Sequence, residues 1–231
     1  IGWNGFLIKV PEEIHLTRQG GNANEGTLQL GSERYLIEFS WSLIPKKTKS
    51  LLTLVDTLID RAKKEAKKKK QEFTVEEKRD TIVNTHDAVY LRLKSGIEER
   101  YYIWRCEETD RFIAARFVTE PFDEKARNFV KQFLSTLKCH TKEKNVWSLM
   151  KLRFEAPKSF LLNDAKFGVG RGHIVLSDSK LSTFEERTKT IYVNYFSMAN
   201  LRFKDTYKDP EKWFEKNYRK DFRKILKKWR I

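Results

Sequence analysis

Two cysteines and two of the four histidines are the residues of this chain best suited to chemistry. Cys106, Cys139, His86 and His140 are of the types that bind Zn²⁺, because thiolate sulfur and imidazole nitrogen are its usual protein ligands. Their spacing argues against a shared site, since only Cys139 and His140 are adjacent, and adjacent side chains at a helix end point in different directions. We therefore predict no metal and no cofactor.

The two cysteines have other interpretations that the spacing leaves open. Cys106 falls late in a predicted strand and Cys139 just after a predicted helix, so they could form a disulfide or remain unpaired and buried. A cysteine nucleophile would need a neighbouring histidine and an oxyanion donor, and nothing marks either cysteine as exposed. The glycine-rich segment 168–172 precedes a strand and lacks the Lys-Ser/Thr of a phosphate-binding loop. The chain is therefore predicted not to be an enzyme.

The charge of the chain favours a polyanionic partner. Lys and Arg outnumber Asp and Glu by 47 to 32, which gives a net charge of +15 and a pI near 9.7. Two stretches concentrate the cations, and both have the alternative interpretation of a solvated helix surface. The candidate polyanion-binding residues are Lys63, Lys64, Lys67, Lys68, Lys69, Lys70, Lys212, Lys216, Arg219, Lys220, Arg223, Lys224, Lys227 and Lys228. The charged fraction of 34%, rich in Lys and Glu, also favours a thermophilic source.

Hydrophobic periodicity predicts the elements that position these residues. Apolar side chains alternate along the predicted strands and recur at helical spacing along the predicted helices. The strands are expected at 6–10, 27–30, 35–43, 73–83, 88–94, 99–106, 111–119, 152–156, 173–176 and 190–196, and the helices at 50–70, 123–138 and 209–229. The short links between strands exclude parallel crossovers. This order predicts the α+β class, with antiparallel β-sheets flanked by α-helices.

An internal repeat organises the chain. The stretch from Phe6 to Leu30 recurs about 146 positions later, so that Pro11 falls on Pro157 and Gly26 on Gly172. The second copy carries an insertion of about eight residues within 178–189. The repeat predicts two related domains, residues 1–140 and a shorter copy, residues 146–231, which ends in a basic amphipathic helix.

Three stretches resemble the start of Mog1/PsbP-like domains: Phe6-Leu7-Ile8-Lys9-Val10-Pro11, Gly26-Thr27-Leu28-Gln29-Leu30 and Ile37-Glu38-Phe39-Ser40-Trp41. His86-Asp87-Ala88 falls where that family often has a Gly-His-x-Ala strand start, with Thr85 in place of the glycine. The Trp that follows the family's Pro is Ile14 here and Phe160 in the second copy. The resemblance covers residues 6–137 and, in part, 152–229. It implies a sandwich of helices around an antiparallel sheet and a non-catalytic role as a partner of a larger assembly.

The function predicted from these observations is a non-enzymatic binding or assembly module of a larger complex, with a protein partner. The alternative is a nucleic-acid-binding protein that uses the Lys63–Lys70 run and the basic C-terminal helix.

No apolar run approaches the ~18 residues of a membrane span, and no signal peptide is visible, so a cytoplasmic location is expected. The chain does not begin with Met, which leaves an upstream leader or anchor open.

Overall fold

The computed structural model describes residues 1–44, 50–149, 151–168, 170–181, 186–197, 211–213, 215 and 218–219. Among them, two helices have complete bounds, α1 at Leu51–Lys68 and α2 at Glu124–Thr136. The strands β1 to β14, in chain order, are Gly2–Trp3, Phe6–Leu7, His15–Gly21, Glu25–Gly31, Leu36–Leu43, Thr74–Val83, His86–Ser95, Ile97–Cys106, Arg111–Val118, Lys144–Leu149, Leu152–Pro157, Leu161–Gly168, Arg171–Leu181 and Glu186–Phe196.

Seven strands form one antiparallel sheet in the order β3-β4-β5-β9-β8-β7-β6. Successive side chains of a strand face opposite sides of a sheet, so Ala114 of β9 packs in the α1 layer and Ala115 in the α2 layer. Val55 of α1 is fully buried on the first face. On the second face, Phe129 of α2 stacks on Tyr35, with ring centroids 4.3 Å apart. One helix thus covers part of each face.

A polar side chain caps the start of each of these two helices. The Ser50 hydroxyl accepts a hydrogen bond from the Thr53 amide at the start of α1. Asp123 accepts from the Ala126 amide at the start of α2 and also pairs with Arg34 at 2.5 Å.

The strands in residues 144–196 repeat the pairing found in residues 1–43. Leu16 lies opposite Leu30 and a bulge follows Leu16, while Leu162 lies opposite Leu176 and a bulge follows Leu162. Six of the seven residue pairs of the β12–β13 hairpin are displaced from their counterparts in β3–β4 by the same offset as the sequence repeat. The β13–β14 hairpin pairs eleven residues where β4–β5 pairs seven, which accommodates the predicted insertion.

The first hairpins of the two segments also share their register, and they contact each other. Gly2 lies opposite Leu7 in β1–β2, and Ser148 lies opposite Arg153 in β10–β11. The Gly2 amide donates to the Ser148 hydroxyl at 2.9 Å, so two equivalent positions meet. A Cβ atom on Gly2 would lie 2.6 Å from the Val146 carbonyl oxygen, so this close approach requires glycine.

A single apolar cluster joins the two segments. Trp3 and Trp147 are fully buried and meet edge to face at 5.5 Å, and Phe167 packs on Trp3 at 5.6 Å. Ile174 belongs to the same cluster as Phe129 of α2. The cluster therefore crosses the predicted boundary between residues 140 and 146, and the two-domain division remains a prediction.

The α+β prediction, with antiparallel sheets flanked by helices, is wrong, because the chain is mostly β. The described strands far outnumber the described helices, and the residues described between 144 and 196 form strands and connections alone. The sequence argument missed the strands at 144–149 and 161–168 and so overestimated the share of helix. The predicted C-terminal helix, residues 209–229, lies largely outside the described residues. Within it the structure describes residues 211–213, 215 and 218–219, and these are helical.

A charged network on the α1 face joins β5, β8 and β9. Arg116 donates to Glu38 at 3.0 Å and to Glu99 at 2.6 Å, and the Tyr101 hydroxyl donates to Glu99 at 2.6 Å. Burial raises the pKa of Glu99, but the hydrogen bonds from Arg116 and Tyr101 outweigh it and hold the pKa below its ordinary value.

Replacing Glu99 with Gln should lower the free energy of unfolding by about 2 kcal/mol at pH 7, because a charge-assisted hydrogen bond inside the fold is lost. A carboxylate whose pKa is lower in the folded state stabilises the fold above its unfolded pKa of about 4.3, and this contribution disappears as the pH falls through the folded pKa. Urea unfolding at pH 7 and pH 3 should therefore show the difference shrinking at pH 3. Exposed Glu72→Gln is the control, and an equal effect of both variants at pH 7 would refute the network.

Candidate metal centre

Four side chains that are distant in the sequence converge in the structure. One ligand atom each from His86, Cys106, Cys139 and His140 lies within 4.8 Å of the other three. Cys139 Sγ is 3.1 Å from His86 Nε2 and 3.4 Å from His140 Nδ1, and Cys106 Sγ is 3.3 Å from His140 Nδ1. A tetrahedral zinc ion places its sulfur and nitrogen ligands about 3.3–3.8 Å apart. The three S···N distances lie close to this range, and the four atoms have the chemistry of a Cys₂His₂ site.

Strand pairing brings His86 and Cys106 together. His86 opens β7 and Cys106 ends β8, and the two strands form a hairpin around Gly96, whose φ of 74° suits the turn. Ala88 lies opposite Trp104, and the same register continued by two residues sets His86 opposite Cys106. Directly opposite residues point to the same face of a sheet, so both side chains lie at one end of one face.

The other two ligands come from the segment that follows α2. This helix ends at Thr136 rather than at Lys138, so Cys139 and His140 belong to an extended connection. Lys138 and Leu7 exchange two backbone hydrogen bonds, at 2.8 and 2.9 Å, which fix this segment beside β2. The expectation that Cys139 and His140 diverge at a helix end is wrong for this reason.

The cluster is enclosed by protein. Cys106 and Cys139 are buried, and His86 and His140 are half-buried, with their rings edge to face at 5.7 Å. Trp104 is fully buried beside Cys139. Structural zinc sites are closed by four protein ligands, whereas catalytic sites keep a position for water or substrate. This set of four is of the closed kind.

The electrostatics of the cluster favour a thiolate. The hydrogen bond from the Cys139 thiol is the main cause that lowers the pKa of Cys106, and with the contributions of Thr109 and His140 it outweighs burial and brings this pKa to about 4. The hydrogen bond to Cys106 and burial raise the pKa of Cys139. Without a metal, the pair thus carries one thiolate and one thiol. A thiolate is the form of cysteine that binds metals.

Arg111 places a buried positive charge beside the two sulfurs. Burial lowers its pKa, and the nearby Cys106 and Cys139 raise it. Its guanidinium donates to the Asn4 carbonyl at 2.6 Å and to the Ala23 carbonyl at 3.1 Å. Arg111 therefore ties the cysteine cluster to the N-terminal turn and stabilises negative charge on sulfur.

Both cysteines lie inside the cluster. Cys106 and Cys139 are free and buried in the structure, and the disulfide considered from the sequence stays a prediction. Each sulfur contacts an imidazole nitrogen. The argument that scattered spacing excludes a shared site is wrong, because hairpin pairing and the end of α2 bring the four residues together.

Sequence reasoning missed the neighbours of the site and one usable signal. Arg111, Asn4 and Thr109 have no sequence pattern that sets them apart from the other polar residues of the chain. The position of His86 opposite Cys106 could have been found, since a tight hairpin centred on Gly96 pairs those two positions.

The predicted polyanion-binding residues form two groups. The first is exposed at the C-terminal end of α1 and comprises Lys63, Lys64, Lys67, Lys68, Lys69 and Lys70. Lys68 pairs there with Glu65 at 2.6 Å. In the second group Lys212 and Arg219 are exposed, and Arg219 lies 3.8 Å from Glu215. The remaining predicted residues are not among those that the structure describes: Lys216, Lys220, Arg223, Lys224, Lys227 and Lys228.

Comparison with known proteins shows a weak likeness of fold. No family model and no curated protein matches the chain. Among solved structures, the chain is similar to the solution structure of cyanobacterial PsbP (CyanoP) from Synechocystis sp. PCC 6803, with 12% identity over 58% of this chain and 86% of that chain, and a TM-score of 0.45. The resemblance to PsbP is thus supported only as a weak likeness of fold, and it carries no argument about the site.

Proposed function

We propose that this chain is a non-enzymatic binding and assembly module whose fold is closed by one zinc ion. The observation that carries the zinc assignment is the convergence of His86, Cys106, Cys139 and His140, with ligand atoms within 4.8 Å of one another. Two thiolates and two neutral imidazoles balance the charge of Zn²⁺, and a tetrahedral S₂N₂ set selects zinc over harder cations such as Mg²⁺ or Ca²⁺. A closed set of protein ligands supports a structural role rather than a catalytic one.

The zinc ion would act as a crosslink at a junction of the fold. His86 and Cys106 belong to the outer half of the seven-stranded sheet, whereas Cys139 and His140 lead directly into β10. The same segment pairs with Leu7 through Lys138. Metal binding would therefore join the sheet, the N-terminal hairpin and the β10–β11 hairpin at one point, and its free energy would add to the stability of the fold.

Two further proposals concern the organisation and location of the chain. The shared register and shared bulge position of β3–β4 and β12–β13 support the interpretation that residues 146–231 begin with an internal repeat of the first unit. Free, buried thiols support a reducing compartment such as the cytoplasm. Neither described helix has the length and apolar character needed to cross a membrane.

Removing one ligand should release the metal and destabilise the fold. Purified wild-type protein should contain one zinc per chain by elemental analysis, and His86→Ala should contain none. When the free zinc concentration is about 1,000 times the dissociation constant, zinc binding adds about 4 kcal/mol to the free energy of unfolding. His86→Ala, or removal of zinc with a chelator, should therefore lower the free energy of unfolding by several kcal/mol. Exposed His15→Ala is the matched control and should keep both zinc and stability.

Two results would contradict the zinc proposal. One is a wild-type chain without stoichiometric metal whose stability chelators do not change. The other is a count of zero free thiols per chain after unfolding in chelator without reductant, since this would show that Cys106 and Cys139 form a disulfide.

Nucleic-acid binding is the second candidate function, and the exposed lysine cluster at the end of α1 favours it. Lys64, Lys67 and Lys68 line one shallow surface together with Arg61. Such an array can neutralise several backbone phosphates without contacts to bases.

Neutralising the end of this cluster tests the nucleic-acid candidate. In a variant with Lys67, Lys68, Lys69 and Lys70 all changed to Gln, affinity for duplex DNA should fall, and the slope of log K against log salt should become shallower by about three. The control changes four exposed lysines elsewhere to Gln, at positions 9, 94, 142 and 158. Equal losses in both variants would show that net charge alone attracts the DNA, and the candidate would fail.

A further inference from the structure

Three buried hydrogen-bond donors lie around the two sulfurs of the cluster. They are Trp104 Nε1, Thr109 Oγ1 and Arg111 Nε, and no oxygen or nitrogen atom of the described residues accepts a hydrogen bond from them. A buried donor that has lost water without gaining an acceptor destabilises the fold. The sulfurs of Cys106 and Cys139 are the acceptors that lie beside these donors, so we consider how each donor is placed.

Strand register sets two of the donors on the same face of the sheet as Cys106. Arg111 of β9 lies directly opposite Cys106 of β8, and directly opposite residues point to one face. Trp104 comes two positions before Cys106 in the same strand, so it shares that face. Its indole is fully buried and interacts with Cys139. One end of the β8–β9 pair therefore directs two donors towards the sulfurs.

The turn between β8 and β9 supplies the third donor. The Thr109 amide donates to the Cys106 carbonyl at 3.4 Å, which folds the turn back over the end of β8. This turn brings the Thr109 hydroxyl beside the Cys106 sulfur. The hydroxyl group can rotate, so its proton can point at the sulfur.

Arg111 is held so that its Nε atom is left for sulfur. The two terminal nitrogens of its guanidinium donate to the carbonyl oxygens of Asn4 and Ala23, at 2.6 and 3.1 Å. Nε is the guanidinium nitrogen without an oxygen acceptor. The charge of Arg111 interacts with both cysteines. Arg111 thus combines a fixed position, a free donor and a permanent positive charge next to the sulfurs.

We propose that Trp104, Thr109 and Arg111 form a donor set that holds the sulfurs of Cys106 and Cys139 as thiolates for the zinc ion and protects them from electrophiles. Hydrogen bonds to an ionised acceptor are the strong ones, and the outer partners of metal ligands tune metal affinity. A thiolate of lower basicity is also a weaker nucleophile. The three are positioning residues, since none is a ligand. This proposal rests on the proposed zinc centre and names the residues that tune it.

Thr109→Val tests the donor set with little change of shape, because valine replaces only the hydroxyl by a methyl group. The affinity of the full chain for zinc, measured by competition with a chromophoric chelator, should fall about tenfold or more. In the cobalt-substituted protein, the sulfur-to-cobalt charge-transfer band should move to longer wavelength, because a sulfur that loses a donor gives up its electrons more readily. Thr109→Ser keeps the hydroxyl and should behave as the wild type does. Trp104→Phe should repeat the effect of Thr109→Val.

Matched controls remove the same groups elsewhere. Thr119 Oγ1 and Trp147 Nε1 are also buried and without a partner, but none of the contacts described for either residue involves sulfur. Thr119→Val and Trp147→Phe should therefore leave the zinc affinity and the cobalt band unchanged. Iodoacetamide, which forms a thioether and expels iodide, should alkylate the cysteines and release zinc several-fold faster from Thr109→Val than from Thr119→Val.

The outcomes separate the donor set from the zinc centre. If the wild type binds zinc and cobalt but Thr109→Val and Trp104→Phe keep its affinity, band and alkylation rate, the zinc centre stands and the donor set is refuted. Equal changes in these variants and in their controls also refute it, since they would reflect general destabilisation. If Trp104→Phe does not fold, Thr109→Val against Thr109→Ser decides. A wild-type chain that binds neither metal overturns the zinc centre itself, and the donor set with it.

Discussion

The contact between the open end of the β7–β8 hairpin and the segment after α2 is the constraint on which this structure depends. Cys106 and Cys139 are buried there with their sulfurs close together, against two imidazoles and beside the cation of Arg111. Burying so many polar groups is costly unless they are paired or bound to a metal. The proposed zinc ion would remove this cost, because it would neutralise both thiolates and give each of the four side chains a bond.

The same junction explains how the two similar segments share one core. The first unit ends its sheet at β9 and α2, and the extended segment that follows α2 carries two metal ligands before it enters β10. The hairpins β1–β2 and β10–β11 then meet at equivalent positions, Gly2 and Ser148. Trp3 and Trp147 fill the space between them. Packing of like hairpins thus continues the core of the first unit into the second.

Local patterns in the sequence predicted most of the strands, because alternation and proline or glycine positions are local signals. The same Leu16 and Leu162 positions that align in the sequence carry the bulges in the structure. The fold class was predicted wrongly, since the strands at 144–149 and 161–168 lack clear alternation. The metal centre was missed because it depends on hairpin register and on α2 ending two residues early, and neither is visible in the spacing of Cys and His.

X-ray absorption at the zinc edge of the purified full-length chain tests the central claim most directly. The account predicts one zinc per chain with two sulfur neighbours at about 2.3 Å and two nitrogen neighbours at about 2.0–2.1 Å. It also predicts that the sulfur shell falls to one neighbour, or that the metal is lost, in Cys139→Ser. A wild-type spectrum with only oxygen and nitrogen neighbours would contradict the account, as would a sulfur shell that is unchanged in that variant.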